Sequence, residues 1–400
     1  MKRIIFLYTA LFIVILAALP VYAGPYEAWS ADYLTHSSLK YERDVETDSS
    51  NNVFVMFNMW RDSYILKYGS SGNLQEDILF QNYNIWDIAI DKNDNIIILA
   101  LNQEDNHDEL FKYSPDFERQ WSVPLPLVVA SQFIETDSEG NVVIARKQPT
   151  GQHVAVVKFS RDGKLLWERD IVPSGLLMES KVLNVLVDQG DSIYVPIKWG
   201  IKRTITKYSP EGDIVYDSVY GDTSMLELSS SFYDAVEFDS SGNIAVFSKK
   251  YHTDQYSKRR EAYILKLNPE NAEILSAEKV PMIYDSYGPD YNWQQYHGPS
   301  MVAGPDETMI VTIYKSSKSE NVETLNLQIF GIHPSGNLLW SIEEPRLGSA
   351  GSSIITDMIG DIVFTFVQID EGDEDLDLDM SGNTGIWDNL AFGLGFRVKM

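Results

Sequence analysis

The stretch from Asp137 to Trp167, DSEGNVVIARKQPTGQHVAVVKFSRDGKLLW, decides the fold. It opens on the turn Asp137-Ser-Glu-Gly-Asn141 and enters a β-branched run, Val142-Val-Ile144. A loop leads to a second apolar run ending in Lys158-Phe159. The chain then turns at Asp162-Gly163 and closes on Trp167. Gly and Asn in such turns supply the positive φ that tight hairpins need. The stretch therefore reads as two hairpins, and with the strand before Asp137 it makes four short antiparallel strands.

The unit recurs along the chain. Its first turn is headed by Asp48, Asp91, Asp137, Asp188, Asp239, Gly304 and Asp357, at spacings of 43, 46, 51, 51, 65 and 53 residues. Its second signature, a strand ending in Lys plus an apolar or aromatic residue before a polar turn, returns at Lys67-Tyr68, Lys112-Tyr113, Lys207-Tyr208 and Lys266-Leu267. An aromatic follows the second turn at Trp121, Trp167, Tyr216 and Trp340. Strand signals recur with no long 3.6-residue periodicity between them. Repeats of this period mark stacked supersecondary units. Four antiparallel strands repeated seven times predict an all-β chain, a seven-bladed β-propeller with one four-stranded sheet per blade.

The ends of the chain predict how the ring closes. The seventh unit stops at Lys399, where the third strand of a blade ends. Gly24-Pro-Tyr-Glu-Ala-Trp29-Ser30 resembles the fourth-strand sequence Asn337-Leu-Leu-Trp340-Ser341. The N-terminal strand is therefore expected to join the last blade. Before it, Lys2 and Arg3 precede an apolar run from Ile4 to Leu19, and Val21-Tyr22-Ala23 offers a cleavage site. Residues 1–23 read as a signal peptide and 24–400 as a single propeller domain. The apolar run is short for a membrane span and no second one follows, so an exported, periplasmic or extracellular chain without a transmembrane segment is expected.

The runs Val157-Lys-Phe-Ser-Arg-Asp-Gly-Lys-Leu-Leu-Trp167 and Ile332-His-Pro-Ser-Gly-Asn-Leu-Leu-Trp340 resemble the bacterial extracellular β-propeller repeat of SBBP type. Their spacing is also similar to that of quinoprotein-like propellers. The resemblance implies an exported propeller and no particular activity, because fold does not fix function.

Composition narrows the chemistry. The chain has 400 residues, no cysteine and a formal charge of −26. Disulfides, thiolate metal sites and a cysteine nucleophile are excluded. Nucleic acid is an improbable partner for so acidic a chain. The six histidines are scattered, and neither a Gly-x-Ser-x-Gly elbow nor a His-Glu-x-x-His motif is present.

The first-to-second and third-to-fourth turns are short and repetitive, whereas the other connections are long and irregular. Function is expected on the face carrying the irregular set. The connection from Tyr284 to His297 holds Tyr287, Tyr291, Trp293, Tyr296 and His297, rings suited to stacking on a sugar or anchoring a protein contact. The second-to-third loops gather eleven of the 32 Lys and Arg residues, including Lys198, Lys202, Arg203, Lys250 and Arg259. A basic patch on an acidic body would draw an anionic polysaccharide or protein surface.

The turn aspartates have two readings, oxygen ligands for calcium or acceptors for the N–H groups of their own turns. Asp373, Asp375, Asp377 and Asp379 alternate within an acidic stretch and could ligate calcium, or form a solvated acidic loop. Asp44, Asp87 and Asp234 precede first strands and are candidates to converge at the channel mouth. The expectation is a non-enzymatic binding propeller without cofactor, contacting a protein or anionic polysaccharide of the cell envelope or exterior. The alternative is a hydrolase, lyase or lactonase working through converging carboxylates, with or without calcium.

Overall fold

A fourth strand that is exposed on alternate residues, beside second and third strands buried on both faces, is the packing signature of this chain. Val154–Phe159 is buried throughout, whereas Leu165–Ile171 alternates between exposed and covered positions. Neighbouring blades cover the inner strands on both sides, and only the outermost strand meets solvent. The computed structural model describes residues 26–35, 39–59, 61–125, 132–148, 153–172, 180–200, 202–220, 234–253, 258–287, 293–304, 307–319, 322–333, 335–344, 354–356, 362–364, 368–369 and 390–399. The expected signal peptide, Tyr291 and the Asp373–Asp379 stretch lie outside them.

All sheets among the described residues are antiparallel, and in chain order there are six. The first holds Leu39–Thr47, Val53–Met59, Ser63–Tyr68 and Leu74–Phe80. The second holds Tyr83–Ile90, Ile96–Asn102, His107–Tyr113 and Arg119–Leu125. The third holds Gln132–Thr136, Val142–Lys147, Val154–Phe159 and Leu165–Ile171. The fourth has a broken inner strand, Ser180–Val182 and Leu186–Val187, followed by Ile193–Trp199, Lys202–Tyr208 and Ile214–Val219. The fifth has eight strands, from Ala235–Phe238 to Leu338–Glu344. The sixth combines Ile354–Thr356, Ile362–Phe364, Gln368–Ile369 and Leu390–Lys399 with the chain's first strand, Tyr26–Thr35.

The propeller thus has six blades, not the seven expected from the repeats. The units headed by Asp239 and Gly304 are joined into one sheet. Their connection, read from sequence as an aromatic loop, continues as strands Ile274–Tyr287 and Trp293–Ala303, which pair at Ser286↔Gln294 and Tyr287↔Trp293. This sheet folds over itself, so Ala245 and Phe247 share a core cluster with Val311 and Ile313.

In the sixth blade Tyr26–Thr35 is the outermost strand and pairs with Leu390–Lys399. The register sets Tyr26 opposite Lys399. In other blades that place opposite the lysine belongs to Trp121, Trp167 or Tyr216. Tyr26, not Trp29, therefore occupies the aromatic position of this blade.

The two repeated signatures meet in one device. Asp91 takes the N–H groups of Asn93 and Asn95 on Oδ1 at 2.8 and 3.0 Å, and its Oδ2 meets Lys112 Nζ at 2.6 Å. Lys158–Asp137 and Lys266–Asp239 repeat the pair at 2.8 and 2.7 Å. These turn carboxylates are consumed by their own turns and by a lysine of the third strand. The aromatics then latch one blade to the next. Trp121 Nε1 donates to the Arg161 carbonyl, Trp167 Nε1 to the Pro210 carbonyl and Tyr216 OH to the Pro269 carbonyl. Core clusters span the same joints, as Leu99 and Ile97 pack with Val142 and Ile144. Each fully buried aliphatic contributes about 1.5–3 kcal/mol.

Candidate functional site

The inner strands surround a cavity of about 610 Å³ at the centre of the ring. Position along the repeat decides which side chains enter it. Four residues before the turn position stand Asp44, Asp87, Phe133, Asn184, Ala235 and Ser300; two residues before it stand Glu46, Glu135, Glu237 and Val302. These positions share parity, so in an extended strand they face one way. Lys181, Leu183, Asp234, Pro299 and Met301 complete much of the remaining lining.

Asp44 and Asp87, expected to converge, do so. Their carboxyls are hydrogen-bonded to each other. Asp44 also accepts from Val45 N at 2.9 Å and Ile88 N at 3.3 Å, and Asp87 accepts from Ile134 N at 2.7 Å. Each carboxyl thus docks its blade to the next. Burial first, and then the adjoining Asp44, push the Asp87 carboxyl well above the ordinary carboxylate range.

Asp234 lines the same cavity but is held apart from that pair. It forms an ion pair with Arg203 Nε at 2.7 Å, each side chain 1 % exposed, and accepts from Ser248 Oγ at 2.6 Å. Arg203, expected in an exposed basic patch, is therefore interior. Lys202, beside it, is exposed.

Three acids that the repeat positions predict, and the motif reading missed, complete the acidic side. Burial raises Glu135 to about 7 and Glu237 to about 8, against the bonds each accepts from the following backbone N–H. Glu46 is likewise raised well above its ordinary value, by burial first and then by Asp44, Glu135 and Glu237. The signal was available: each lies two residues ahead of a turn Asp. Among the described residues, no group of three or more His, Asp or Glu side chains is placed to hold a metal ion.

Lys198, also expected in the basic patch, lies buried on Ile193–Trp199 of the fourth blade, and the other described candidates fall on the eight-stranded sheet. Tyr287 is paired with Trp293, Trp293 also with Lys318, Tyr296 with Lys315 and His297 with Tyr314. Lys250 lies opposite Glu261, and Arg259 opposite His252. The aromatic and basic segments read separately from the sequence are thus adjacent strands.

No family model matches the chain, and no curated protein matches it. Solved structures do. A protein from Lactobacillus plantarum is 13 % identical, covers 92 % of this chain and 100 % of its own, and superposes with a TM-score of 0.52, which shows the fold alone. The endo-arabinase from Bacteroides thetaiotaomicron is 14 % identical over 69 % of this chain and 95 % of its own, with a TM-score of 0.40. Drosophila Semaphorin 1b, extracellular domains 1-2, is 8 % identical over 92 % and 87 %, with a TM-score of 0.48. The chain is a β-propeller.

Proposed function

We propose that this is an exported binding propeller of the SBBP kind, whose ligand, a protein or an anionic polysaccharide, docks on the face bearing the irregular connections. One observation carries the reading. Strands Ile244–Thr253, Lys258–Leu267, Ile274–Tyr287, Trp293–Ala303, Met309–Ser319 and Val322–Ile332 run 10–14 residues. The second to fourth strands of the first three blades run six or seven.

The short turns at Asp239–Asn243 and Asn268–Glu273 match those of other blades, so the added length rises on the opposite face. At 3.3 Å per residue it stands roughly 10 Å above the ring. It forms a wall that carries Tyr287, Trp293, Tyr296, His297, Lys250 and Arg259. Trp293→Ala, tested against a glycan and protein panel, should weaken binding to the captured ligand at least about tenfold. Unchanged affinity for every captured ligand removes the wall from the site.

A second reading, hydrolysis or elimination by a carboxyl pair, is favoured by one observation. Asp87, raised well above the ordinary carboxylate range by burial and by Asp44, is hydrogen-bonded to Asp44 at a cavity of about 610 Å³. Two hydrogen-bonded carboxyls of which one is raised are an arrangement acid–base catalysis can use. A substrate panel on the full chain, with and without calcium, separates the two classes.

A further inference from the structure

Three carboxyls of the central cavity join no blade to another. Glu46, Glu135 and Glu237 stand two residues before the turn, on the inner strands of the first, third and fifth blades. At the same place the second and fourth blades carry Ala89 and Leu186, so the ring can be built without an acid there. Asp44 and Asp87 accept from Ile88 N and Ile134 N of the following blade. The glutamates instead accept from the N–H of the next residue, Thr47, Thr136 or Phe238, within their own strands.

Their placement is also unfavourable. Burial raises Glu135 to about 7 and Glu237 to about 8. Glu46 is raised by burial and then by Asp44, Glu135 and Glu237, so acids on alternate blades act on one another across a shared space. A fold keeps a locally unfavourable arrangement chiefly where it serves a site. The space itself, about 610 Å³, lies within the range of small-molecule sites. The rest of its lining divides in two. Phe133, Leu183, Pro299 and Met301 are apolar. Lys181 is under the influence of Asp234, which Arg203 and Ser248 engage.

We propose that the central cavity binds a small organic polycation, a linear polyamine, with its ammonium groups against Glu46, Glu135 and Glu237 and its methylenes against Phe133 and Met301. An anion would be repelled by this lining. Among the described residues no three His, Asp or Glu side chains are placed to hold a metal ion, so the positive charge that fits is one spread along a chain. Each ammonium supplies charge-assisted hydrogen bonds and relieves the repulsion between the glutamates. The Phe133 ring adds an attraction for a cation over its face. A cation binds the ionised carboxyls, so affinity rises with pH through the raised values near 7 and 8. The site goes beyond the surface reading and uses none of the wall's residues.

The experiment titrates the full chain calorimetrically with spermidine, calcium chloride and neutral triethylene glycol at about 0.15 M salt, which screens exposed charge. Spermidine should bind one to one, and at least about tenfold more tightly at pH 8.5 than at pH 6. Calcium and the neutral chain should bind at least about tenfold more weakly than spermidine. At pH 8.5 Glu135→Gln and Glu237→Gln should each lose about tenfold and keep a melting midpoint no lower than the parent's. Glu168→Gln, which removes an exposed acid, and Trp293→Ala should stay within about twofold of the parent. No binding, binding at many equivalent sites, affinity independent of pH, calcium as tight as spermidine, or folded glutamine variants that bind like the parent would overturn the cavity site. Those outcomes leave the surface reading standing, because that reading fails only through Trp293→Ala on a captured ligand.

Discussion

Trp167 of the third blade lies against Gly212 of the fourth and donates its indole N–H to the Pro210 carbonyl at 3.1 Å. Gly212 has φ +86°, and a Cβ there would stand 2.7 Å from Trp167 Cδ2. Two penalties converge: left-handed backbone at about 1–2 kcal/mol and overpacking at about 1–3 kcal/mol. Gly212→Ala should cost about 2–5 kcal/mol. Gly242 has φ +78° but nothing within 4 Å of the added carbon. Gly242→Ala should carry only the backbone part, about 1–2 kcal/mol. Urea denaturation of both variants checks the difference, and equal losses would mean that the indole yields without cost.

The same joint holds a buried ion pair. Lys158 Nζ lies 2.8 Å from Asp137 Oδ2, the side chains 3 % and 2 % exposed, and also donates to the Pro210 carbonyl at 3.1 Å. Burial alone would raise Asp137, but Lys158 and Asn141 hold it below its ordinary value. Removing the lysine strands a buried carboxylate, so Lys158→Met should cost about 3–5 kcal/mol at pH 7. A depressed carboxyl stabilises above its unfolded pKa and loses that contribution as pH falls. The deficit of the variant should therefore narrow toward pH 3. Adding Asp137→Asn should recover most of it. A deficit independent of pH would place the loss in packing instead.

The blade unit was legible because a local rule writes it. The turn Asp, the Lys of the third strand and the outer aromatic recur in register, since the same ion pair forms at Asp91, Asp137 and Asp239 and the same inter-blade hydrogen bond at Trp121, Trp167 and Tyr216. The blade count was not legible. A turn headed by Gly304 announces a unit, but whether Ile274–Tyr287 and Trp293–Ala303 pair across their connection depends on contacts that turn chemistry does not encode. For the site, Asp44 and Asp87 stood out through their place before a turn. Arg203 misled, because a charged residue next to a loop reads as solvated, and only the approach of Asp234 from another blade buries it. Glu46, Glu135 and Glu237 were hidden in plain alternation, two residues from the more conspicuous turn aspartates.

Those glutamates give the fold a pH dependence of definite sign. Glu135 is raised to about 7 and Glu237 to about 8, chiefly by burial. Below the unfolded value near 4.5 both states are protonated and nothing is lost. As pH rises, the unfolded chain ionises first, and stability declines until the folded carboxyls ionise near 7 and 8. Each unit corresponds to about 1.4 kcal/mol. The melting midpoint should fall on the order of 5–10 °C between pH 5 and pH 9. Self-repulsion of a chain at −26 acts in the same direction. Glu135→Gln and Glu237→Gln isolate the local part, because each should flatten the curve and raise the midpoint at pH 9. Parallel curves for variants and parent would show that overall charge alone sets the slope.

Asp87 permits a substitution that separates structure from chemistry. Its carboxyl is raised well above the ordinary range by burial and by Asp44, accepts from Ile134 N at 2.7 Å and is hydrogen-bonded to Asp44. An asparagine amide offers the same pair of functions, an oxygen for the Ile134 N–H and an N–H for Asp44. Asp87→Asn should therefore leave stability at pH 7 within about 1 kcal/mol of the parent. Asp87→Ala abandons both partners in the cavity wall and should cost about 1–3 kcal/mol. An amide cannot pass a proton to a leaving group, which general acid catalysis requires, so any turnover found in a substrate panel should fall at least about a hundredfold in Asp87→Asn. A folded Asp87→Asn that retains turnover would remove the carboxyl pair from catalysis and leave it as a joint between the first, second and third blades.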